Sequence, residues 1–388
     1  IYPSMQYAVM GLDVLGYGPE HPLRREAQSQ FDRLIVDDER GFFFQPCFSP
    51  VWDTAVAAFA LGEMENPPED ALRRCADWLL ANEIRREGDW SKKRPNAQPS
   101  GWAFEFRNEF YPDVDDTAMV LLALQRARAS DPSKQRACLQ RAIDWTLAMQ
   151  CKDGGWAAFD VDNDWRVLSY VPFADHNAML DPECADITAR ILELLGYENW
   201  NPNHSQIRRA LEYIRKEQEA DGSWYGRWGV NYIYGTWQVL RGLRAMNLDM
   251  NEPWLLRAKN WLESVQHEDG GWGERCNTYD HPVFKGRGPS TASQTAWAVM
   301  GLCVFDDPEN PALKRGVEYL ARTQNPDGSW TEHETTGTGF PKVFYLKYDM
   351  YRNAWPLLAL ASYKKLLQRA NPQRDGEMKA VGDDVRSL

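Results

Sequence analysis

The chain has 388 residues, 43% hydrophobic and 26% charged, a balance that supports a large packed core and excludes a disordered protein. Its net charge of -12 argues against a nucleic-acid groove, which needs a basic face. The outlier is aromatic content, with 17 Trp, 16 Tyr and 15 Phe, more than a core alone requires.

Residues 1–47 fit no repeating pattern and read as the tail of a second, truncated helical domain; the chain opens at Ile1-Tyr2-Pro3, mid-pattern, as a fragment would. A different organisation begins at residue 48. Segment 54–61 is small and apolar on every face, and a helix apolar all round is buried on all sides. It is followed by an eroded repeat, Arg74…Trp78…Glu83…Trp90. Next comes the acidic run Asp113-Val114-Asp115-Asp116-Thr117-Ala118, which leads into a second apolar segment, 117–124.

From there two classes of helix alternate. Amphipathic copies run Arg141-Ala142…Trp145…Gln150…Gly155-Trp156, then Arg209-Ala210…Tyr213…Gln218…Trp224, Arg257-Ala258…Trp261…Gln266…Gly271-Trp272, and Arg315-Gly316…Tyr319…Gln324…Trp330. Between and after them lie the all-apolar segments 187–195, 234–246, 292–304 and 354–367. A unit recurring every 50–70 residues or so cannot bury its own apolar face and must stack on its neighbours. Six buried and five amphipathic helices are what an α/α barrel needs, an inner ring jacketed by an outer one. The fold class is therefore all-α, an α/α barrel one outer helix short of six pairs, with residues 1–47 as the tail of another domain. The expected division is 1–47, then a barrel over 48–368, then a polar tail over 369–388.

The Gly-Trp ends have a structural use: Gly past a helix end supplies the left-handed conformation that terminates it, and the Trp folds back over that end. The seven cysteines are scattered without a C-x-x-C and read as free thiols in a reducing compartment. The apolar runs are too short to span a bilayer.

Chemistry concentrates at the acidic run. One Asp accounts for an N-cap, but three within four residues exceed what capping needs. Carboxylates this close cannot all ionise, so one should stay protonated near neutral pH, and a protonated Asp facing an apolar cavity is a general acid. Phe340, Phe344, Tyr348 and Tyr351 precede the last inner helix as the aspartates precede another, which puts them at one mouth of a regular barrel. Aromatic faces attract cations, by up to about 2 kcal/mol when desolvated. Metal binding is the first rival. Asp160–Asp164 resembles the start of a calcium loop but has Trp165 where Gly is required, and the six histidines show no zinc spacing, so no metal or cofactor is expected. A carbohydrate-active barrel with paired acids, or a non-catalytic lipid-binding barrel, remains open at this point.

The Asp-x-Asp-Asp-Thr-Ala motif at 113–118, the repeated Gln…Gly-x-Trp motif, Ser49-Pro50-Val51-Trp52-Asp53-Thr54 and Gly337-Thr338-Gly339-Phe340-Pro341 together resemble bacterial squalene–hopene cyclases. The resemblance runs from Ile1 to about Leu367. It implies two α-barrel domains around an apolar cavity, monotopic attachment to the cytoplasmic face of the bacterial inner membrane, and cyclisation of squalene to hopene and hopanol without metal. A homodimer, or a related class II cyclase acting on another polyprenyl chain, is compatible with it.

Asp115 is implied as the proton donor, with Asp113 and Asp116 beside it, Asp186 as the carboxylate behind, and Tyr234 as a tyrosine that helps reprotonate the acid. Trp52, Phe104, Phe159, Trp228, Phe340, Phe344, Leu346, Tyr348 and Tyr351 are implied to line the cavity. Arg190 stands where the best-studied type has a histidine; being permanently charged, it is expected to orient the acids and not to shuttle a proton. Phe159 and His176 replace a tyrosine and a phenylalanine. Ile1-Tyr2-Pro3 matches a stretch that positions water near the final cation, and residues 1–388 alone are expected to be inactive.

Overall fold

The computed structural model describes residues 2–39, 41–106, 108–171 and 179–371. His176, Ile1 and tail residues 372–388 lie outside them.

Six helices form the inner ring: α3 (Pro50–Gly62), α5 (Val114–Leu124), α7 (Ala185–Tyr197), α9 (Tyr232–Ala245), α11 (Ala292–Cys303) and α13 (Tyr351–Ala370). Each packs on the next, and α13 returns to α3, so the ring closes. In α5 and α11 every residue is buried, as a helix apolar on all faces should be. The jacket consists of α4 (Glu69–Ala81), α6 (Pro132–Ala148), α8 (Ser205–Lys216), α10 (Pro253–Ser264) and α12 (Pro311–Thr323). Among the described residues this is the all-α barrel of the sequence reading, six inner helices and five outer. All seven cysteines are unpaired.

Residues ahead of the barrel form helices α1 (Tyr2–Val14) and α2 (Pro22–Asp32), packed on each other, and a hairpin of β1 (Ile35–Asp38) and β2 (Gly41–Phe44). A second hairpin, β3 (Gly337–Phe340) with β4 (Phe344–Leu346), precedes α13.

The repeats act as staples between neighbouring units. Trp156 Nε1 donates to Thr146 O at 2.7 Å, and the same bond recurs from Trp224 to Ile214, Trp272 to Leu262 and Trp330 to Leu320, at 2.8 Å each. The backbone N–H of the Trp donates to a threonine hydroxyl of an inner helix, Thr188, Thr236 or Thr295, at 3.0 Å. Gln150 Nε2 bonds Gly154 O in its own turn and Gln206 O in the next unit, both at 2.8 Å. Carbonyls at the ends of outer helices, such as Thr146 O and Ile214 O, thus find partners, as burial demands.

The eroded copy needs correcting. Trp102, and not Trp90, does the work there: its Nε1 reaches Leu79 O at 2.7 Å and its backbone N–H reaches Thr117 Oγ1 at 3.1 Å. Trp90 packs edge-on against Trp145, and its indole N–H has no hydrogen-bond partner among the described residues. An insertion between Glu83 and Gly101 hides the true partner from a fixed-spacing comparison.

The open place in the jacket is visible at Gly328. A side chain on Gly154, Gly222 or Gly270 would run into the backbone of Arg209, Arg257 or Arg315 on the following outer helix. Gly328, with the same positive φ, meets only the amide of Gln324, 4.0 Å away. Among the described residues, no outer helix follows α12.

Candidate functional site

The acidic run sits at the start of α5 because Asp113 caps that helix, its Oδ1 accepting from the N–H groups of Asp115 at 2.7 Å and Asp116 at 3.1 Å. Backbone bonds fix the motif on both sides, Asp113 N to Trp102 O and Val114 N to Ala158 O, each 2.7 Å. The three carboxyl groups are therefore held at one end of the ring by local structure, and all three are buried.

Arg190, from α7, reaches into the cluster. Its Nε donates to Asp115 Oδ1 at 2.6 Å and its Nη2 to the Tyr234 hydroxyl at 2.7 Å. Its guanidinium lies 5.2 Å from the centre of the Trp52 ring, and Trp52 Nε1 donates to the Tyr351 hydroxyl at 3.0 Å. Burial raises the Asp115 pKa, and the Arg190 charge opposes that shift without cancelling it. Burial and the charge of Asp115 push Asp113 well above the usual carboxylate range; burial and the charge of Asp113 do the same to Asp116. Burial also works against the charge on Arg190, but Asp115 and Tyr234 outweigh it and keep the guanidinium protonated.

The three aspartates line a cavity of about 210 Å³. Trp52, Phe104, Phe159, Trp228, Phe340, Phe344, Leu346, Tyr348 and Tyr351 all line the same cavity. Tyr348 stacks on Tyr351 with centroids 4.6 Å apart, and Phe104 meets Tyr348 edge-on at 6.4 Å. Asp186, Arg190 and Tyr234 stand behind this lining. Asp186 Oδ2 accepts from Trp228 N at 2.8 Å and so holds an aromatic wall. The one guanidinium of Arg190 bonds both Tyr234 and Asp115.

Ligand pockets usually span about 300–1,000 Å³, so this space suits part of a long chain. A second cavity of about 370 Å³ adjoins it, and Asn108, Phe159, Trp228 and Phe340 belong to both linings. The second cavity is lined further by the surface residues Phe110 and Tyr111.

Several residues that shape the site were not singled out in the sequence. Cys47, Glu105 and Asn108 share the lining. Asp181 accepts from Phe159 N at 2.6 Å and Asp160 N at 2.8 Å, which fixes the turn that carries Phe159. The Tyr279 hydroxyl lies 2.8 Å from the carbonyls of Gly226 and Gly229 and 2.9 Å from Thr338 Oγ1, tying the Trp228 loop to β3. No short motif marks these two: the repeat equivalent of Asp113 ahead of α7 is Cys184, three residues after Asp181. Asp162, from the rejected calcium-like stretch, lies with Cys151 and Glu183 in a cluster of potential metal ligands, but it accepts Lys152 N at 2.8 Å and its own N–H goes to Cys151 Sγ.

Residues 48–365 match the family model for the squalene-hopene cyclase C-terminal domain. The chain is 45% identical over 372 residues to a probable squalene–hopene cyclase of Sinorhizobium fredii, covering 94% of this chain and 57% of that protein. It is 42% identical over 387 residues to the squalene–hopene cyclase of Zymomonas mobilis, covering 96% of this chain and 58% of that one. It thus spans less than two thirds of the curated relatives it matches. The fold is similar to that of the type II terpene cyclase MstE from Scytonema, with a TM-score of 0.58, 17% identity, and coverage of 86% of this chain and 92% of that one.

Proposed function

The chain belongs to the squalene–hopene cyclase family, and on that premise we propose that its cavity binds the end of a squalene chain and starts cyclisation by proton transfer from Asp115. The observation that carries this reading is a buried carboxyl group, held by Arg190, at the head of a slot walled by aromatic rings. Protonation of the terminal double bond makes a tertiary cation, and successive ring closures move the charge along the slot. Faces of Trp228, Phe340, Phe344 and Tyr348 supply negative potential where the charge develops, in a space that excludes bulk water. Proton loss then yields hopene, and capture of water yields hopanol.

Asp113 and Asp116 are read as partners of the acid, Asp186 as the anchor of Trp228, and Arg190 as a fixed charge that orients Asp115. No step in this scheme needs a metal or cofactor. The domain division of 1–47, 48–368 and 369–388 belongs to the same proposal, as does a homodimer. Membrane attachment is supported by exposed Phe110 and Tyr111 at the second cavity and by exposed Trp165, Val167, Tyr170 and Met179. No described helix is long and apolar enough to cross a membrane, so contact would be with one face.

The test is incubation of the full-length protein with squalene and analysis of the products by gas chromatography and mass spectrometry. Pentacyclic hopene and hopanol are expected. Cyclised products from a different polyprenyl substrate, with squalene left intact, would replace squalene with that substrate. Carbohydrate turnover without any terpene product would overturn the reading.

A further inference from the structure

We propose that Tyr279 is a positioning residue that keeps water out of the cyclisation cavity by holding Trp228 against Phe340. The proposal rests on the cyclase reading above and names what closes the cavity at one wall.

The first argument concerns where that wall lies. Asn108, Phe159, Trp228 and Phe340 line both the cavity that holds the three aspartates and its neighbour of about 370 Å³. The neighbour is also lined by Phe110 and Tyr111, which are 53% and 48% exposed. Trp228 and Phe340 therefore belong to the partition between the acids and a space that meets the surface. Their ring centres are 6.3 Å apart, with the planes tilted by 59°.

The second argument concerns what holds the two rings. Trp228 sits on the loop between Trp224 and α9, and Phe340 ends β3. Val230 N donates to Thr336 O at 2.9 Å, but beside the rings the backbone bonding weakens, with Thr338 N 3.4 Å from Trp228 O. There the Tyr279 hydroxyl joins both sides. Its single proton is shared by the carbonyls of Gly226 and Gly229, each 2.8 Å away, so the Thr338 hydroxyl, at 2.9 Å, is the donor to its oxygen.

The Tyr279 ring has its own packing. It stacks on Tyr345 with centroids 5.6 Å apart and meets Tyr225 edge-on at 5.4 Å. Loss of the hydroxyl therefore leaves the ring seated and removes only the tie. Two buried carbonyls and the Thr338 hydroxyl then lose this partner, and the loop that carries Trp228 gains by turning toward water.

Tyr279 is not part of the cavity lining, so it acts through Trp228 and Phe340. The chemical consequence is a change of product. A water that reaches an intermediate cation forms a C–O bond through an oxygen lone pair and passes one proton to a second water. The product is an alcohol with fewer rings, where exclusion of water would have let ring closure continue.

The experiment uses the full-length protein, squalene, and water labelled with heavy oxygen, with products read by gas chromatography and mass spectrometry. In Tyr279→Phe the fraction of labelled alcohols with fewer rings should rise by about threefold or more. Thr338→Val cuts the tie from the other side and should do the same, and the double variant should be no worse than Tyr279→Phe alone. Glu63→Gln, at the far end of the barrel, weakens the fold without touching the tie and should keep the wild-type product ratio. Independently of activity, amide hydrogen exchange at Val230 and Thr338 should quicken by about tenfold in Tyr279→Phe.

A Tyr279→Phe product ratio that superposes on wild type, an equal rise in Glu63→Gln, or unchanged exchange at both amides would overturn the proposal. If Tyr279→Phe does not fold, a wild-type product ratio in Thr338→Val overturns it equally. Absence of any product from wild-type protein sinks the cyclase reading, while hydrogen exchange still decides whether the hydroxyl holds the Trp228 loop on β3.

Discussion

Arg190 grips Asp115 with Nε 2.6 Å from Oδ1, and both side chains are almost entirely buried. Removing one member of such a pair leaves the other buried without compensation, which costs about 3–5 kcal/mol. Arg190→Leu should therefore lower stability by roughly that amount in urea denaturation and reduce turnover. Arg190→Lys, a point charge without the planar fork, should keep part of the stability but lose contact with either Asp115 or Tyr234. A stability change under about 1 kcal/mol in the leucine variant would show that the pair contributes little.

Asp115→Asn in the full-length protein should leave folding intact and reduce squalene turnover by about 10²–10⁴-fold or more, the range for loss of a positioned general acid. Product analysis with circular dichroism as the folding control checks it. Activity near wild type would move the acid to another residue.

Phe340 contributes a wall to both cavities, its ring centre 6.3 Å from that of Trp228. Phe340→Ala should remove cation stabilisation part-way along the slot, so products with fewer rings should accumulate. A loss of all products with no change in their ratio would mark Phe340 as structural.

Glu63 closes the ring at the far end of the barrel, where it pairs with Arg126 and with Lys365 of α13. Burial raises its pKa, but the two cations outweigh that and hold it at about 2, below its ordinary 4.5. A depressed carboxylate adds stability above its unfolded pKa, and that stability is lost as pH falls from about 4.5 through about 2. Glu63→Gln should cost roughly 2–3 kcal/mol at neutral pH and flatten the acid limb of the stability curve over that window. An acid limb identical to wild type would exclude Glu63 as its cause.

Gly154 and Gly328 occupy equivalent turns, with φ of 102° and 86°. Alanine at either position incurs the left-handed strain of about 1–2 kcal/mol. At Gly154 the new Cβ would also lie 2.4 Å from Arg209 O, whereas at Gly328 it would come no nearer than 4.0 Å to Gln324 Nε2 among the described residues. Gly154→Ala should therefore lower the melting temperature by clearly more than Gly328→Ala. Equal effects would mean that the next helix yields at no cost.

Much of the barrel was legible in the chain because its signals are local. Whether a segment such as α5 is apolar on every face can be read within a dozen residues, and the run Asp113–Asp116 carries its own capping logic. Trp102 was missed since the insertion after Glu83 breaks the spacing, although the indole still finds Leu79. Tyr279 gave no signal, because its partners Gly226, Gly229 and Thr338 lie more than 45 residues away in sequence.

The sequence by itself determined the alternation of buried and amphipathic helices, the staples that join them, and the clustering of three acids at a helix start. These follow from periodicity and capping, which act over a few residues. Only the tertiary structure decided that the ring closes from α13 to α3, that nine apolar and aromatic residues from distant segments line one cavity with the acids, and that Arg190 bonds both Asp115 and Tyr234. The reason is physical. Which carboxyl group keeps a proton depends on donors and charges that four separate elements bring together, and no local stretch of the chain contains them all.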